Sequence, residues 1–173
     1  MVTYREINFA QDKEFLLQFH VKINYASETP FIRKVMNFTD YKEKWFNTSQ
    51  PQRFLRDLKD SLKESRTIAQ IVENAKGEAI GYLWVTFTDV TDYNVTIAEI
   101  MDIAVKKEFQ GQGIGTNLME YLENLARERG AHFLRSDTGS ENRPSRALHE
   151  KVGFTPYRII YEKVLCTEDI PFG

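Results

Sequence analysis

Six residues, Gln110-Gly111-Gln112-Gly113-Ile114-Gly115, constrain this chain most, because they join a predicted strand (98–105) to a predicted helix (115–129). At a helix start several backbone N–H groups lack an intrahelical acceptor, and the aligned peptide dipoles place roughly half a positive charge there. Glycine permits positive φ and lets a ligand approach the backbone. The junction is a candidate anion cradle. Ile114, Leu118, Met119, Leu122, Leu125 and Ala126 recur at helical spacing, so one helix face packs on a sheet while the first turn stays free. No carboxylate between residues 109 and 119 competes for the positive end, and Gly130 after Arg127-Glu128-Arg129 marks the helix stop.

The loop's own residues narrow the ligand. A nucleotide P-loop needs Gly-Lys followed by Ser or Thr, and Gly113-Ile114-Gly115-Thr116 has no such Lys. A dinucleotide fingerprint needs a third Gly or Ala where Thr116 stands, and an early βαβ unit, whereas this loop is late in the chain. Downstream, a second pattern appears: Asn142-Arg143-Pro144-Ser145-Arg146-Ala147-Leu148-His149-Glu150-Lys151-Val152-Gly153-Phe154.

The first motif, following a strand that ends Ile103-Ala104-Val105, together with the second, resembles the two signatures of the GNAT superfamily of acetyl-CoA-dependent N-acetyltransferases. The clear resemblance covers residues 97–165. It implies an α/β fold with a mixed, mostly antiparallel central sheet, helices on both faces and a splay between the two central strands. It also implies that the backbone of Ile103, Ala104 and Val105 pairs with the pantetheine arm. The loop (Gln110, Gly111, Gln112, Gly113, Ile114, Gly115, Thr116) would hold the pyrophosphate, and Asn142 would touch the cofactor arm. Asn142 also reads as a plain helix N-cap, since Pro144 lies in the following first turn.

Two residues are candidates for the chemistry. Where the family usually has the Tyr that protonates the leaving thiolate, this chain has His149. Imidazole exchanges protons near neutrality and can serve as an acid, but a His on a short helix can equally be solvated or bonded to a carbonyl. Tyr157 and Tyr161 are nearby alternatives without a motif behind them. Glu99 stands where several family members carry a general base. Simple alternation puts it on one face with Met101, Ile103 and Val105, and turns Asp102 the other way with Ile100 and Ala104. A carboxylate on an apolar strand face is desolvated, which suits a base, although a surface acid paired to a cation is the plainer reading. The single Cys166, far from both motifs, gives no basis for a covalent relay, so direct attack in a ternary complex is expected.

Composition sets the outer limits. The 173 residues, 42% hydrophobic and 28% charged, suit a single domain over 1–173 with a proper core. A net charge of −2 supplies no basic field for nucleic acid or a membrane surface. No apolar run nears the ~20 residues of a membrane span, and no signal-peptide core is visible. A lone Cys excludes an internal disulfide and fits the cytoplasm; no Cys/His cluster calls for a metal.

Along the chain, a first strand (2–9), a helix (12–26), helix starts at Asp40 with Glu43 and at Ser49 with Gln52, and a hairpin (66–73 and 78–89) around Asn74-Ala75-Lys76-Gly77 are predicted. The central strand, the 115–129 helix, a strand (133–137), the Asn142 helix and a last strand (157–165) follow. Tyr25, Phe31, Phe38, Tyr41, Trp45 and Phe46 gather among Glu28, Asp40 and Glu43. They fit either core packing or a wall that receives a small-molecule or peptide amine. The expected activity is acetyl transfer from acetyl-CoA to such an amine. The other reading is a non-catalytic acyl-CoA-binding sensor or partner module. Homodimers are frequent in the family.

Overall fold

Residues 2–165 are described by the computed structural model. The β-branched and aromatic runs form strands where expected: β1 (Thr3–Glu6), β2 (Thr67–Glu73), β3 (Ala79–Val90) and β4 (Val95–Val105), with a short β5 (Phe133–Arg135). They lie in the order β1-β2-β3-β4-β5, and β4–β5 is the one parallel pair of this sheet. A parallel pair needs a crossover, here the helix α5 that follows the glycine loop. In the hairpin turn Asn74 Oδ1 accepts the N–H groups of Lys76 and Glu78, and Gly77 takes φ 74°.

The helices are α1 (Phe9–Ser27), α2 (Pro30–Val35), α3 (Phe38–Phe46), α4 (Gln50–Ser61), α5 (Ile114–Glu128) and α6 (Arg143–Lys151). Two starts differ from the sequence reading. Asn37, not Asp40, caps α3, its side chain accepting the Asp40 N–H. Ser49 makes no side-chain cap on α4; the neighbouring Thr48 hydroxyl accepts the Gln50 N–H instead. The short α2, capped by Thr29 with Pro30 in its first turn, escaped the periodicity because six residues give too little of it.

Helices cover both sheet faces. Leu16, Phe19, Trp45, Phe54 and Leu58 pack on Ala69, Ile71, Tyr82 and Trp84. On the other face Met119, Leu122 and Ala126 of α5 meet Leu83, Val85, Phe87, Ala98 and Ile100. The predicted last strand does not form: residues 157–165 pair with no strand among the described residues, and Tyr161 is 88% exposed. β5 is therefore an edge strand rather than a central one, and a cavity of about 500 Å³ lies beside it under Tyr157. Apolar residues alone do not make a strand; the ladder needs a partner edge in register. Cys166 lies outside the described residues.

One ion-pair knot ties β1, α1 and β2 together. Arg5 forks onto Asp12 (2.7 and 2.8 Å) and reaches Glu73 (2.6 Å), while buried Asp12 also accepts the Asn8 N–H. The Arg5 guanidinium holds the Asp12 carboxyl below the usual aspartate range. Its contribution to stability is whole above the ordinary aspartate pKa of ~4 and is lost as the pH falls through the depressed folded value. Asp12→Ala should lower the unfolding free energy by about 2 to 3 kcal/mol at neutral pH. Urea titrations should show the wild-type and variant stabilities converging in acid; parallel curves would contradict this.

Candidate active site

The site begins where the sheet comes apart. Across β3, Thr86 faces Glu99 and Val85 faces Ile100, but Trp84 faces Asp102, so Met101 has no partner and bulges out, 45% exposed. A bulge bends its strand and strengthens the local twist. On its other side β4 pairs with β5 only at Ile97, Ala98 and Glu99. Among the described residues, the outer edge of residues 100–105 is therefore unpaired. The chain after β5 leaves β4 and closes against the end of α1: a Cβ on Gly139 would stand 2.5 Å from the Ala26 carbonyl oxygen. The resulting slot is walled by β4, by α1 and by the 136–141 connection.

The glycine loop lies at the end of that slot. Gly111 (φ 74°) and Gly113 (φ 80°) are left-handed, and Gly113 stands at the N-cap of α5 with no side chain to cap it. Among the described residues, no protein acceptor meets the backbone N–H groups of residues 111–116. The glutamines shape the loop: Gln110 donates to the Val105 carbonyl (2.9 Å) and Gln112 to that of Glu108 (3.1 Å). Ile114 packs beside Leu118 against Val72 and Ile80, which fixes the helix start on the sheet. Lys151, from α6, donates to Thr116 Oγ1 (3.2 Å) and adds a full cation at the mouth of the cradle. Gly115 lets α6 come close, since a Cβ there would sit 3.2 Å from Leu148 Cδ2.

The other sequence candidates fall around this slot. Ile103, Ala104 and Val105 are half-buried along its edge. Asn142 precedes α6 but makes no capping hydrogen bond, so its amide is not spent on the helix. Glu99 is exposed at the last β4–β5 pair, and the desolvation expected of it is absent. The bulge also overturns the expected alternation. Glu99 and Asp102 share the face toward α1, while Ile103 packs on the α5 side. His149 Nδ1 is bonded to the Ser145 carbonyl (2.7 Å), which makes that nitrogen the protonated one, and Nε2 is buried without a partner. The ring meets Phe154 edge-on.

Four residues near the slot, Asp102, His20, Tyr82 and Lys151, were not site candidates in the sequence reading. Asp102 is 4% exposed and joins His20 of α1 (2.7 Å) and the Tyr82 hydroxyl. Burial, with the Asp102 charge beside it, pushes the Tyr82 phenol well above its ordinary range, so it stays a neutral donor. One unseen bulge residue hid Asp102, and His20 sits on a helix with no motif. Lys151 lay in plain view within the second motif, four residues before which α6 supplies Ala147.

A known family matches this arrangement. The model of the acetyltransferase (GNAT) family covers residues 35–154, more than half of the sequence. The chain belongs to that family. The [ribosomal protein bS18]-alanine N-acetyltransferase of Escherichia coli (strain K12) is 28% identical over 114 residues, 66% of this chain and 64% of that protein. N-alpha-acetyltransferase 30 of Schizosaccharomyces pombe is 32% identical over 63 residues, 36% of this chain and 42% of that protein. This GNAT chain thus spans about half the length of the curated relatives it matches. A Clostridium acetobutylicum chain solved with acetyl-CoA shares the fold (TM-score 0.65, 20% identity, 95% of this chain and 97% of that one).

Acetyl-CoA is the co-substrate of the GNAT family, and the residues here fit it. The unpaired β4 edge suits an amide-bearing pantetheine arm, and the free N–H groups of residues 111–116 with Lys151 suit a pyrophosphate. Gly113→Ala strains a left-handed residue at the cradle and should weaken acetyl-CoA binding roughly 10-fold. Lys151→Ala, an exposed charge, should weaken it roughly 2- to 5-fold, the difference shrinking in high salt. Calorimetric titration reads both; unchanged affinity in Gly113→Ala would place the pyrophosphate elsewhere.

Proposed function

We propose that this protein moves the acetyl group of acetyl-CoA to a primary amine, the amine attacking the thioester directly while both substrates are bound. The observation that carries this reading is the continuity of two unsatisfied backbone stretches, the β4 edge at residues 100–105 and the N–H groups of residues 111–116. Together they match a thioester arm running to a pyrophosphate. In the reaction an ammonium loses one proton, its lone pair forms the C–N bond, and the C–S bond breaks. The second amine proton or its equivalent ends on sulfur, so ammonium and thioester give amide, thiol and one released proton. A backbone N–H of the free β4 edge donates to the carbonyl oxygen as it gains charge. Holding both reactants in one slot supplies much of the acceleration.

Support for an amine acceptor comes from the α1 side. A cavity of about 320 Å³ is lined by Asn24, Ser27, Glu28, Tyr41, Trp45 and Gln50. Trp45 is core, yet its indole N–H is buried without an acceptor; Tyr41 is half-buried and donates to Glu28 (2.8 Å). Aromatic faces beside a carboxylate suit a cationic amine, whether a small molecule or a peptide terminus such as the alanine named for the E. coli relative.

Glu99 and His149 take the proton roles read from sequence. Glu99, exposed on the α1-side face of β4, passes the amine's proton to bulk water. His149 reaches the thiolate as an acid only when its ring is charged, because its neutral form carries the proton on the nitrogen held by Ser145. That tie is also what favours the second reading, a binding module without turnover. Thiol release from acetyl-CoA across an amine panel separates the two. The wild type should turn over with at least one amine; Glu99→Gln should lower kcat up to about 10-fold, and His149→Ala about 10- to 100-fold, with the acetyl-CoA KM little changed. Acetyl-CoA binding without turnover for any amine would establish the binding module.

A further inference from the structure

The mechanism leaves one buried charge unused. Asp102 is held from two sides, by the Tyr82 hydroxyl and by His20 Nδ1 (2.7 Å), directly behind the β4 edge where pairing with β5 has ended. A buried carboxylate is costly unless it is fully engaged. Here the engagement has a direction. Asp102 accepts from Nδ1–H, so the neutral imidazole turns its lone pair to Nε2. Among the described residues that nitrogen has no hydrogen-bond partner, it is not enclosed, and the side chain is 18% exposed. The ring itself cannot swing: Phe54 stacks on it at 3.8 Å with 10° between the planes, and Trp45 stands at 6.0 Å.

The surroundings connect this nitrogen to the acceptor cavity. His20, Asn24, Ser27 and Glu28 follow one another at helical spacing on α1, and all but His20 line that cavity. Trp45 both lines the cavity and borders His20. The exposed Glu99 lies on the same sheet face, its β3 partner, Thr86, two residues along from that of Asp102.

We propose that His20 is the catalytic residue that takes the proton from the acceptor ammonium, that Asp102 is the positioning residue fixing its tautomer, and that Tyr82 holds Asp102. This rests on the acetyl-transfer reading above. Nε2 accepts one proton from the ammonium, giving imidazolium and a free amine. The amine then forms the C–N bond as the C–S bond breaks, its second proton passes to the leaving sulfur, and the imidazolium returns its own proton to water along the face that carries Glu99. The titratable groups against His20 are Asp102 on β4 and, through it, Tyr82 on β3; α3 and α4 present the Trp45 and Phe54 rings.

The test is the pH profile of amine-dependent thiol release by the full chain. His20→Gln should lower kcat about 100-fold with the acetyl-CoA KM unchanged, and should remove the acid limb of the wild-type profile. Added imidazole should restore part of the rate to His20→Ala, which separates a lost proton acceptor from lost packing. Asp102→Asn should lower kcat and displace the limb, and Tyr82→Phe should do so less. A His20→Gln enzyme that keeps the wild-type rate and limb, while the wild type acetylates amines, overturns this assignment alone. No turnover by the wild type with any amine overturns the acetyl-transfer reading and this one with it.

Discussion

Everything proposed for this molecule depends on β4 losing its partner. The strand keeps β3 on both sides of the Met101 bulge but parts from β5 after Glu99, leaving backbone groups that a folded protein ordinarily satisfies. Each unmade backbone hydrogen bond is costly in a dry place and harmless only against water or a ligand. A second run of unmet N–H groups lies at the start of α5. The two stretches adjoin because the loop between them is short and Gln110 folds its side chain back onto the Val105 carbonyl. Deficits that would be defects elsewhere therefore form one surface that a thioester with a diphosphate can complete.

The bulge at Met101 has a second consequence. By using up one residue it turns Asp102 to the same face as Glu99, so a carboxylate that alternation would send toward α5 lies instead beneath α1. There it meets His20 and Tyr82. The cost of burying that charge is offset by hydrogen bonds from two elements, and the strand is thereby tied to α1, which helps line the 320 Å³ cavity. The rest of the sheet is conventional: apolar faces packed on both sides, and an Arg5–Asp12–Glu73 knot holding the far edge.

How much of this could be read from the sequence follows from the range of each signal. The glycine loop, α5 and the hairpin strands were legible because glycine, helical spacing and β-branched runs act locally. The two motifs singled out the 110–116 loop and residues 103–105, whose role in holding the co-substrate is a proposal. The faces of Asp102 and of residues 103–105 relative to Glu99 were not legible, because a single bulge residue inverts every position beyond it and leaves no mark in composition. His20 and Asp102 are 82 residues apart and meet only through that bulge. The segment 157–165 shows the converse: strand-forming residues are present, but pairing is a property of two edges, and no edge meets them here.

The central claim is that residues 100–105 and 111–116 form one continuous donor site. The most direct measurement is a titration of the isotopically labelled protein with acetyl-CoA, following backbone amide NMR signals. Amides in both stretches should shift together, with one affinity, and become protected from exchange. Shifts confined to residues 111–116 with the β4 edge unchanged, or centred on the cavity beside β5, would contradict it.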